Sequence, residues 1–232
     1  AYHYLDRKPI LQLPNEHIFI LPTALLEGIS TKIHYELLDS EQQISEEYKK
    51  RYGDQFLNQI TTEAEKSTYK ECGRNIELLE KGQNLGDVDL VFKNDKDEYM
   101  LIEAKNHRVP IPVYFGDKDA TVSHLERLKG EWESKVEKRK KHLANNHDAY
   151  GIGNNYQYII VSRLPEIISF FSENLYLSFF EFKQWLSSSC KHTNFTKVYD
   201  EIYQQHHHDY SDDEMNAFFK KGYSVIEKRA KE

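Results

Sequence analysis

Two sets of apolar residues recur along the chain at the spacing of an α-helix. The first is Ile44, Tyr48, Tyr52, Phe56 and Ile60. The second is Leu125, Leu128, Trp132, Val136 and Leu143. Because residues three or four apart share one face of a helix, each set predicts an amphipathic helix with one apolar side. The first helix is expected to be capped by Ser40 and to run to about Ser67.

Runs of apolar and β-branched residues predict four strands. Residues 86–92 and 99–105, which the polar residues 93–98 separate, predict a β-hairpin. Residues 156–162 predict a third, buried strand, and residues 175–180 predict a fourth. With a short helix after each of the last two strands, the predicted order of elements is α-β-β-α-β-α-β-α.

The pattern divides the chain into a core with a flanking part on each side. Residues 44–190 are the expected core, and residues 1–43 form an N-terminal flanking segment. Residues 191–232 are more polar and form a helical C-terminal appendage, with a helix predicted over 214–229. The three consecutive histidines at 206–208 point in different directions and have no spaced partner ligands, so a surface tract is predicted there rather than a metal site.

Composition favours a soluble globular protein. Hydrophobic residues make up 39% of the chain and charged residues 30%. Because no apolar run approaches the roughly 20 residues that a membrane span needs, a cytoplasmic protein without a membrane partner is expected. The two cysteines, Cys72 and Cys190, lie far apart in the sequence, which indicates neither a disulfide framework nor a zinc site.

The predicted hairpin carries the candidate chemistry. Side chains two residues apart on a strand share a face, so Asp87 and Asp89 lie together, with Val88, Leu90 and Phe92 on the other face. On the second strand, Glu103 and Lys105 share a face in the same way, opposite Met100, Ile102 and Ala104. Burying these ionisable groups unpaired would be costly. A Mg²⁺ ion bound by Asp89 and Glu103 resolves that cost, and Lys105 beside it can orient or help deprotonate a water.

These residues resemble the signature of the PD-(D/E)XK, or restriction-endonuclease-like, nuclease superfamily. The matching segments are Gly86-Asp-Val-Asp89 and Ile102-Glu-Ala-Lys105. The resemblance covers about residues 44–187. It implies an α/β fold with a restriction-endonuclease-like core, in which helices flank a central mixed four-stranded sheet of α-β-β-β-α-β type. It also implies that Asp89, Glu103 and the backbone carbonyl of Ala104 bind Mg²⁺, with Mn²⁺ as a substitute, and that Lys105 joins Asp89 and Glu103 in catalysis.

Three features depart from that pattern or leave it open. The long helix around Trp132 interrupts the family's run of three strands, so it is either an insertion or the third strand lies elsewhere. Members often add a glutamate from the first helix, and Glu63 and Glu65 are both candidates. Asp87 competes with Asp89 for the metal, although Asp89 is favoured because it lies between apolar residues.

The charge of the chain bears on its partner. A net charge of −7 disfavours a polyanionic substrate, but positive charge is concentrated around Lys138, Arg139 and Lys141. These side chains are candidate contacts to nucleic-acid phosphates, with complementation of a helix dipole as the alternative. Additional subunits or domains, or a homo-oligomer, are further sources of affinity.

The function that these features favour is a Mg²⁺-dependent nuclease, endo- or exonucleolytic, that hydrolyses phosphodiester bonds of DNA rather than RNA. By analogy alone, it would be the effector of a bacterial restriction or antiphage defence system. Two alternatives are a nuclease of DNA repair or junction resolution, and a catalytically inactive nuclease-fold module that binds or scaffolds. No Gly-rich phosphate loop occurs in the sequence, which disfavours ATP use.

Overall fold

The computed structural model describes residues 10–12, 18–20, 33, 37, 40–106, 109–114, 116–189 and 191–203. Strands β1 (Ile10–Gln12) and β2 (Ile18–Ile20) form a small antiparallel pair. The main sheet contains β3 (Lys70–Glu80), β4 (Gln83–Lys93), β5 (Tyr99–Lys105), β6 (Tyr156–Ser162) and β7 (Leu175–Ser178). The helices are α1 (Gln42–Glu65), α2 (Ile111–Tyr114), α3 (Lys118–Leu128), α4 (Ser134–Asn146), α5 (Phe179–Ser187) and α6 (Phe195–Tyr203).

The main sheet is mixed, with the strand order β3-β4-β5-β6-β7. The first three strands form an antiparallel meander, whereas β6 is parallel to both β5 and β7. A parallel neighbour requires a long crossover, which α3 and α4 provide between β5 and β6. The predicted α/β class with a mixed sheet flanked by helices is confirmed, but the predicted number of four strands is wrong because the sheet has five.

The additional strand is β3, over residues for which the hydrophobic pattern predicts no element. It pairs with β4 through a two-residue turn, in which Lys81 (φ 50°) and Gly82 (φ 80°) both adopt the left-handed conformation of a type I′ hairpin. Because β3 precedes the predicted hairpin, three consecutive strands come before the long helix. That helix is therefore not an insertion among them. Of the two alternatives left open, the one with a strand elsewhere in the sequence is confirmed, because β3 lies ahead of the predicted hairpin.

Helices cover both faces of the sheet and enclose two apolar clusters, as a layered α/β domain requires. One face packs α1, α5 and α6 against residues that include Leu90, Met100 and Ile102. The other face packs α3 and α4 against residues that include Leu101 and Tyr158. The alternation predicted for β5 is therefore confirmed.

One prediction for β4 is wrong. Val88 does not share a cluster with Leu90 but lies on the opposite side, with the residues that α3 and α4 cover. The change of side occurs beside Asn75 in β3, a left-handed residue (φ 49°) between Arg74 and Ile76, the partners of Leu90 and Val88. The left-handed backbone of Asn75 departs from the extended conformation on which a two-residue alternation depends, whereas the register shifts of this pair lie elsewhere, at Glu71/Gly73 and Leu78/Leu79.

The helix ends differ in detail from the prediction. The hydroxyl of Ser40 donates to the carbonyl of Leu37 (2.6 Å) and does not cap α1, which begins after Glu41 without a side-chain cap. The predicted long helix is α3 and α4 joined through one π-helical turn, Lys129–Glu133. Strand β7 ends at Ser178 because this residue and Glu181 form a capping box that starts α5.

Two predictions concern residues 206–208 and 214–229, which lie outside the described part of the chain. Helix α6, by contrast, is described, and its Phe195 and Val198 pack in the cluster under α1 and α5. None of the helices that the structure describes is long and apolar enough to cross a lipid bilayer.

Candidate active site

Strands β4 and β5 part from each other at the candidate site. Their pairing runs from Lys93 and Tyr99 to Leu90 and Ile102, and beyond that point β4 pairs only with β3, and β5 only with β6. Asp89 lies one residue past the last pair on β4, and Glu103 one residue past it on β5. The register therefore places the two predicted carboxylates at the opening of a fork between the strands.

Asp89 closes the fork with its side chain. Its Oδ2 accepts a hydrogen bond from the backbone N–H of Ala104 (2.6 Å), a group that β4 no longer reaches with its own backbone. The pKa of Asp89 is raised to about 6, mainly by burial and also by the charges of Glu103 and Asp87, while the N–H of Ala104 and the charge of Lys105 act to lower it. The positive charge near the carboxylate of Asp89 is therefore not enough to offset the effect of its burial.

Glu103 has the opposite environment, because protein donors occupy both of its oxygens. It is 2% exposed. Lys105 Nζ donates to Oε1 (2.5 Å), while Arg139 Nη1 and the hydroxyl of Tyr158 (2.7 Å) donate to Oε2. Burial acts to raise the pKa of Glu103, but the charges and hydrogen bonds of Lys105 and Arg139 outweigh it and hold the pKa below its ordinary value. Glu103 is therefore a buried anion.

Lys105 connects this buried anion to the surface. Its side chain is 22% exposed, and its ammonium group lies 5.7 Å from the centre of the Trp132 ring in addition to its contact with Glu103. The N–H of Arg163, which follows β6, donates to the carbonyl of Lys105 (3.0 Å) and fixes the end of β5. Lys105 is thus the cation of the site that lies closest to solvent.

Arg139 reaches the site from α4. It is 7% exposed, and its Nε donates to the carbonyl of Leu85 (3.1 Å) while Nη1 contacts Glu103. The predicted role of Arg139 as a surface contact to phosphate disagrees with this placement, because the guanidinium is buried against a carboxylate. Its spacing gave the signal: Arg139 follows Val136 by three residues and precedes Leu143 by four, so it shares their buried face.

Lys138 and Lys141, the other two predicted phosphate contacts, are exposed on α4. Their predicted contact with phosphate stays a prediction.

Tyr158 was not predicted as a site residue, since a tyrosine within an apolar strand is usual for packing alone. Burial and the charge of Glu103 raise the pKa of Tyr158 well above its ordinary value, so its hydroxyl remains a hydrogen-bond donor.

The first-helix candidates lie away from these groups. Glu63 forms an ion pair with Lys66 (2.8 Å), and Glu65 is exposed on the last turn of α1, the helix that packs on the opposite face of the sheet. Within the described ranges, no group of three or more His, Cys, Asp or Glu side chains is arranged to hold a metal ion. Asp87 is half-buried and close enough to Asp89 to raise its pKa, but the bond to Ala104 is made by Asp89.

The chemistry of the donor set fits Mg²⁺, which takes hard oxygen ligands and keeps several waters. Asp89 offers a carboxylate whose raised pKa shows that a nearby cation would stabilise it. On Glu103, Oε1 accepts from Lys105 alone and retains a lone pair. Across the fork, the carboxylates of Asp87, Asp89 and Glu103 outnumber the cations Lys105 and Arg139 by one. Water would fill the remaining positions of such an ion.

Comparisons with known proteins supply no relative for this site. No protein-family model matches the chain, and no curated protein or solved structure is significantly similar to it. The function proposed below therefore rests on the residues and geometry of the fork.

Proposed function

We propose that the protein is a Mg²⁺-dependent nuclease that hydrolyses phosphodiester bonds, with DNA as the favoured substrate. One observation carries the proposal: Asp89, Glu103 and Lys105 converge where β4 and β5 part, with Asp89 bonded to the peptide between Glu103 and Lys105. Two carboxylates and a lysine at one opening are the groups that metal-assisted hydrolysis of a phosphodiester requires.

The order of elements supports the same proposal. Helix α1 is followed by the three antiparallel strands β3, β4 and β5, then by the helices α3 and α4, and then by the parallel strand β6. This is the α-β-β-β-α-β order that the resemblance to PD-(D/E)XK nucleases implies, with β3 as the strand that the sequence pattern lacks. A shared fold does not determine activity, so the proposed activity rests on the residues of the site.

Each residue has a distinct part in the proposed reaction. Asp89 and Glu103 would hold the ion, which when bound neutralises charge on the phosphate and lowers the pKa of a bound water. Lys105 lies against Oε1 of Glu103 at the exposed side of the fork, where its ammonium group can orient the attacking water and stabilise negative charge on phosphorus. Trp132 under the ammonium group limits the positions that Lys105 can adopt.

Substrate binding is assigned to α4, the helix that also brings Arg139 into the fork. Lys138 and Lys141 are exposed on it, within one turn of Arg139, and would contact backbone phosphates beside the site. Because the chain has a net charge of −7, further subunits or a second copy would supply the rest of the affinity. A role in the cytoplasm as a restriction or antiphage effector is part of the proposal by analogy.

A second candidate is a catalytically inactive module with the same fold. The observation that favours it is the pairing of Glu103, whose charge Lys105 and Arg139 compensate without a metal ion. In that case the fork would be a structural ion cluster.

A cleavage assay on the full chain decides between the two. Supercoiled DNA, linear DNA and RNA are incubated with Mg²⁺, Mn²⁺ or EDTA. We expect metal-dependent cleavage of DNA that Asp89→Asn and Lys105→Met each reduce by about 100-fold or more. Glu71→Gln is the matched control, since Glu71 also accepts from a cation on the sheet but lies at its edge against α1. Absence of cleavage with either metal, or undiminished cleavage by both site variants, refutes the nuclease.

A further inference from the structure

We infer that Arg139 and Tyr158 form a clamp that positions Glu103 for metal binding. The inference deepens the proposed function and rests on it for the identity of the reaction. Nothing in the sequence signature requires either residue. The clamp is defined here as the two groups that donate to Oε2 of Glu103, the Arg139 guanidinium and the Tyr158 hydroxyl.

The guanidinium of Arg139 bridges the two strands where they part. Its Nε donates to the carbonyl of Leu85 on β4, and its Nη1 donates to Glu103 on β5. The planar guanidinium group carries several N–H donors and can make both bonds at fixed geometry, which the single ammonium group of a lysine cannot. Arg139 therefore sets the distance between β4 and β5 at the point where backbone pairing no longer does.

The sequence of β4 makes room for this side chain. Gly86 has a φ of +103°, and a Cβ added there would overlap with Nη2 of Arg139. Any other residue at position 86 would thus collide with the guanidinium in addition to adopting an unfavourable backbone conformation. Residue 86, the first of the segment Gly86-Asp-Val-Asp89, is a glycine because the guanidinium of Arg139 lies where a side chain at this position would be.

The clamp makes the two oxygens of Glu103 unequal. Oε2 is held on the inner side by Arg139 and Tyr158, both buried, whereas Oε1 contacts Lys105, which is partly exposed. Glu103 can therefore present only Oε1 to an ion at the mouth of the fork. Partners that orient a ligand in this way contribute about 10- to 100-fold to metal affinity or activity in other metal sites.

Mn²⁺ binding to the full chain, measured by electron paramagnetic resonance of the free ion, tests the clamp without reference to cleavage. We expect Arg139→Lys and Tyr158→Phe each to weaken Mn²⁺ binding by about 10-fold. Arg74→Lys is the matched control, because Arg74 makes the same kind of paired contact with Glu71 at the edge of the sheet. It should bind Mn²⁺ as the wild type does.

If Arg139 only balanced the charge of Glu103, its variants would affect Mn²⁺ binding differently. Arg139→Lys would then bind Mn²⁺ normally and Arg139→Met more tightly, since a positive charge is lost, and either result overturns the clamp. Tyr158→Phe loses only a hydroxyl and keeps the test decisive if the arginine variants do not fold. Wild-type protein that binds Mn²⁺ but cuts nothing refutes the nuclease and leaves the clamp standing if Tyr158→Phe weakens binding. Wild-type protein that binds no Mn²⁺ refutes the clamp.

Discussion

Two arginine–glutamate pairs of similar chemistry involve glutamates of the main sheet but have different surroundings. At the edge, Arg74 on β3 donates from Nε and Nη2 to the two oxygens of Glu71 (2.9 Å each), and their side chains are 32% and 23% exposed. In the centre, Arg139 contacts Glu103 on β5, and their side chains are 9% and 3% exposed. The edge pair is local, three residues apart on one strand, whereas the central pair joins a helix to a strand across 36 positions.

The difference in burial determines what each pair can do. An exposed or half-exposed pair contributes at most about 1 kcal/mol, because water solvates both charges when they separate. A buried pair gains little net stability over an apolar replacement, yet losing one partner costs about 3–5 kcal/mol because the other charge remains buried. The edge pair is thus dispensable, while the central pair keeps an anion where water alone would not stabilise it. Since a buried ion pair adds little net stability, a buried carboxylate such as that of Glu103 is better explained by a function such as binding an ion.

The largest expected effect is on stability when one carboxylate of each pair is neutralised. Glu103→Gln leaves Arg139 buried without its counter-charge and should lower the free energy of unfolding by about 3 kcal/mol, whereas Glu71→Gln should lower it by less than about 1 kcal/mol. Urea denaturation in EDTA, followed by tryptophan fluorescence, measures both. Equal losses in the two variants would show that burial does not distinguish the pairs.

Alanine variants of two glycines, Gly82 and Gly86, test the contact between residue 86 and the guanidinium of Arg139. Gly82 and Gly86 both have positive φ angles, 80° and 103°, but a Cβ at Gly82 would meet nothing within 4 Å, whereas one at Gly86 would meet Arg139. Both alanine variants should lose about 1 kcal/mol from backbone strain. Gly86→Ala should lose about 2 kcal/mol more, because it displaces a buried guanidinium.

Combining Gly86→Ala with Arg139→Met gives the control. Once the guanidinium is absent, the loss caused by Gly86→Ala should fall to that of Gly82→Ala, a coupling that a double-mutant cycle of unfolding free energies detects. Additive losses would show that Gly86 serves only the backbone.

The same contrast between edge and centre explains what the sequence could predict. Helix α1, the hairpin of β4 and β5, and strand β6 follow from apolar spacing, because each buries apolar residues against the sheet or within it. For α1 the prediction is confirmed only in the second half of the helix, where Phe56 and Ile60 are buried, whereas Ile44 is 48% exposed. The meeting of Asp89 with Glu103 and Lys105 follows from the pairing of two adjacent strands. These are local consequences of the pattern, and they hold in the centre of the sheet.

Strand β3 could not be predicted in the same way because it is an edge strand. It is rich in charged residues, contains Gly73 and the left-handed Asn75, and among its residues only Leu78 is fully buried. Charges and irregularities of this kind protect an edge from unwanted pairing and at the same time remove the apolar alternation. The Lys81-Gly82 turn is its clearest signal, since glycine at the second position permits a type I′ turn.

The contacts of Arg139 and Tyr158 with Glu103 could not be predicted from the sequence for a different reason. A run of basic residues on a helix is usually a solvated face, and which of its members turns inward depends on how the helix lies on the sheet. Arg139 shares the spacing of Val136 and Leu143, so its burial was predictable, but its partner Glu103 was not. Contacts between elements distant in sequence are set by packing, which a single sequence does not specify.

Asp89 and Glu71 should respond to pH with opposite signs, and this is the smallest of the expected effects. Burial raises the pKa of Asp89 from 3.8 to about 6, so from about pH 4 to pH 6 the folded state keeps a proton that the unfolded state has lost, and stability falls as the pH rises. The hydrogen bond from Arg74 lowers the pKa of Glu71 despite partial burial. Glu71 therefore contributes stability above its unfolded pKa, and this is lost as the pH falls through its folded pKa.

Substitution reverses each contribution in metal-free protein. Asp89→Asn should raise the free energy of unfolding by about 1 kcal/mol near neutral pH, less than the full pKa shift would give because the group is half-buried, and the gain should vanish by about pH 4. Glu71→Gln should instead lower it by a few tenths of a kcal/mol near neutral pH, and the loss should also fade in acid. Urea denaturation across this pH range in EDTA measures both. Destabilisation by Asp89→Asn near neutral pH would show that its carboxylate is already compensated within the protein, and would remove the electrostatic reason for an ion at the fork.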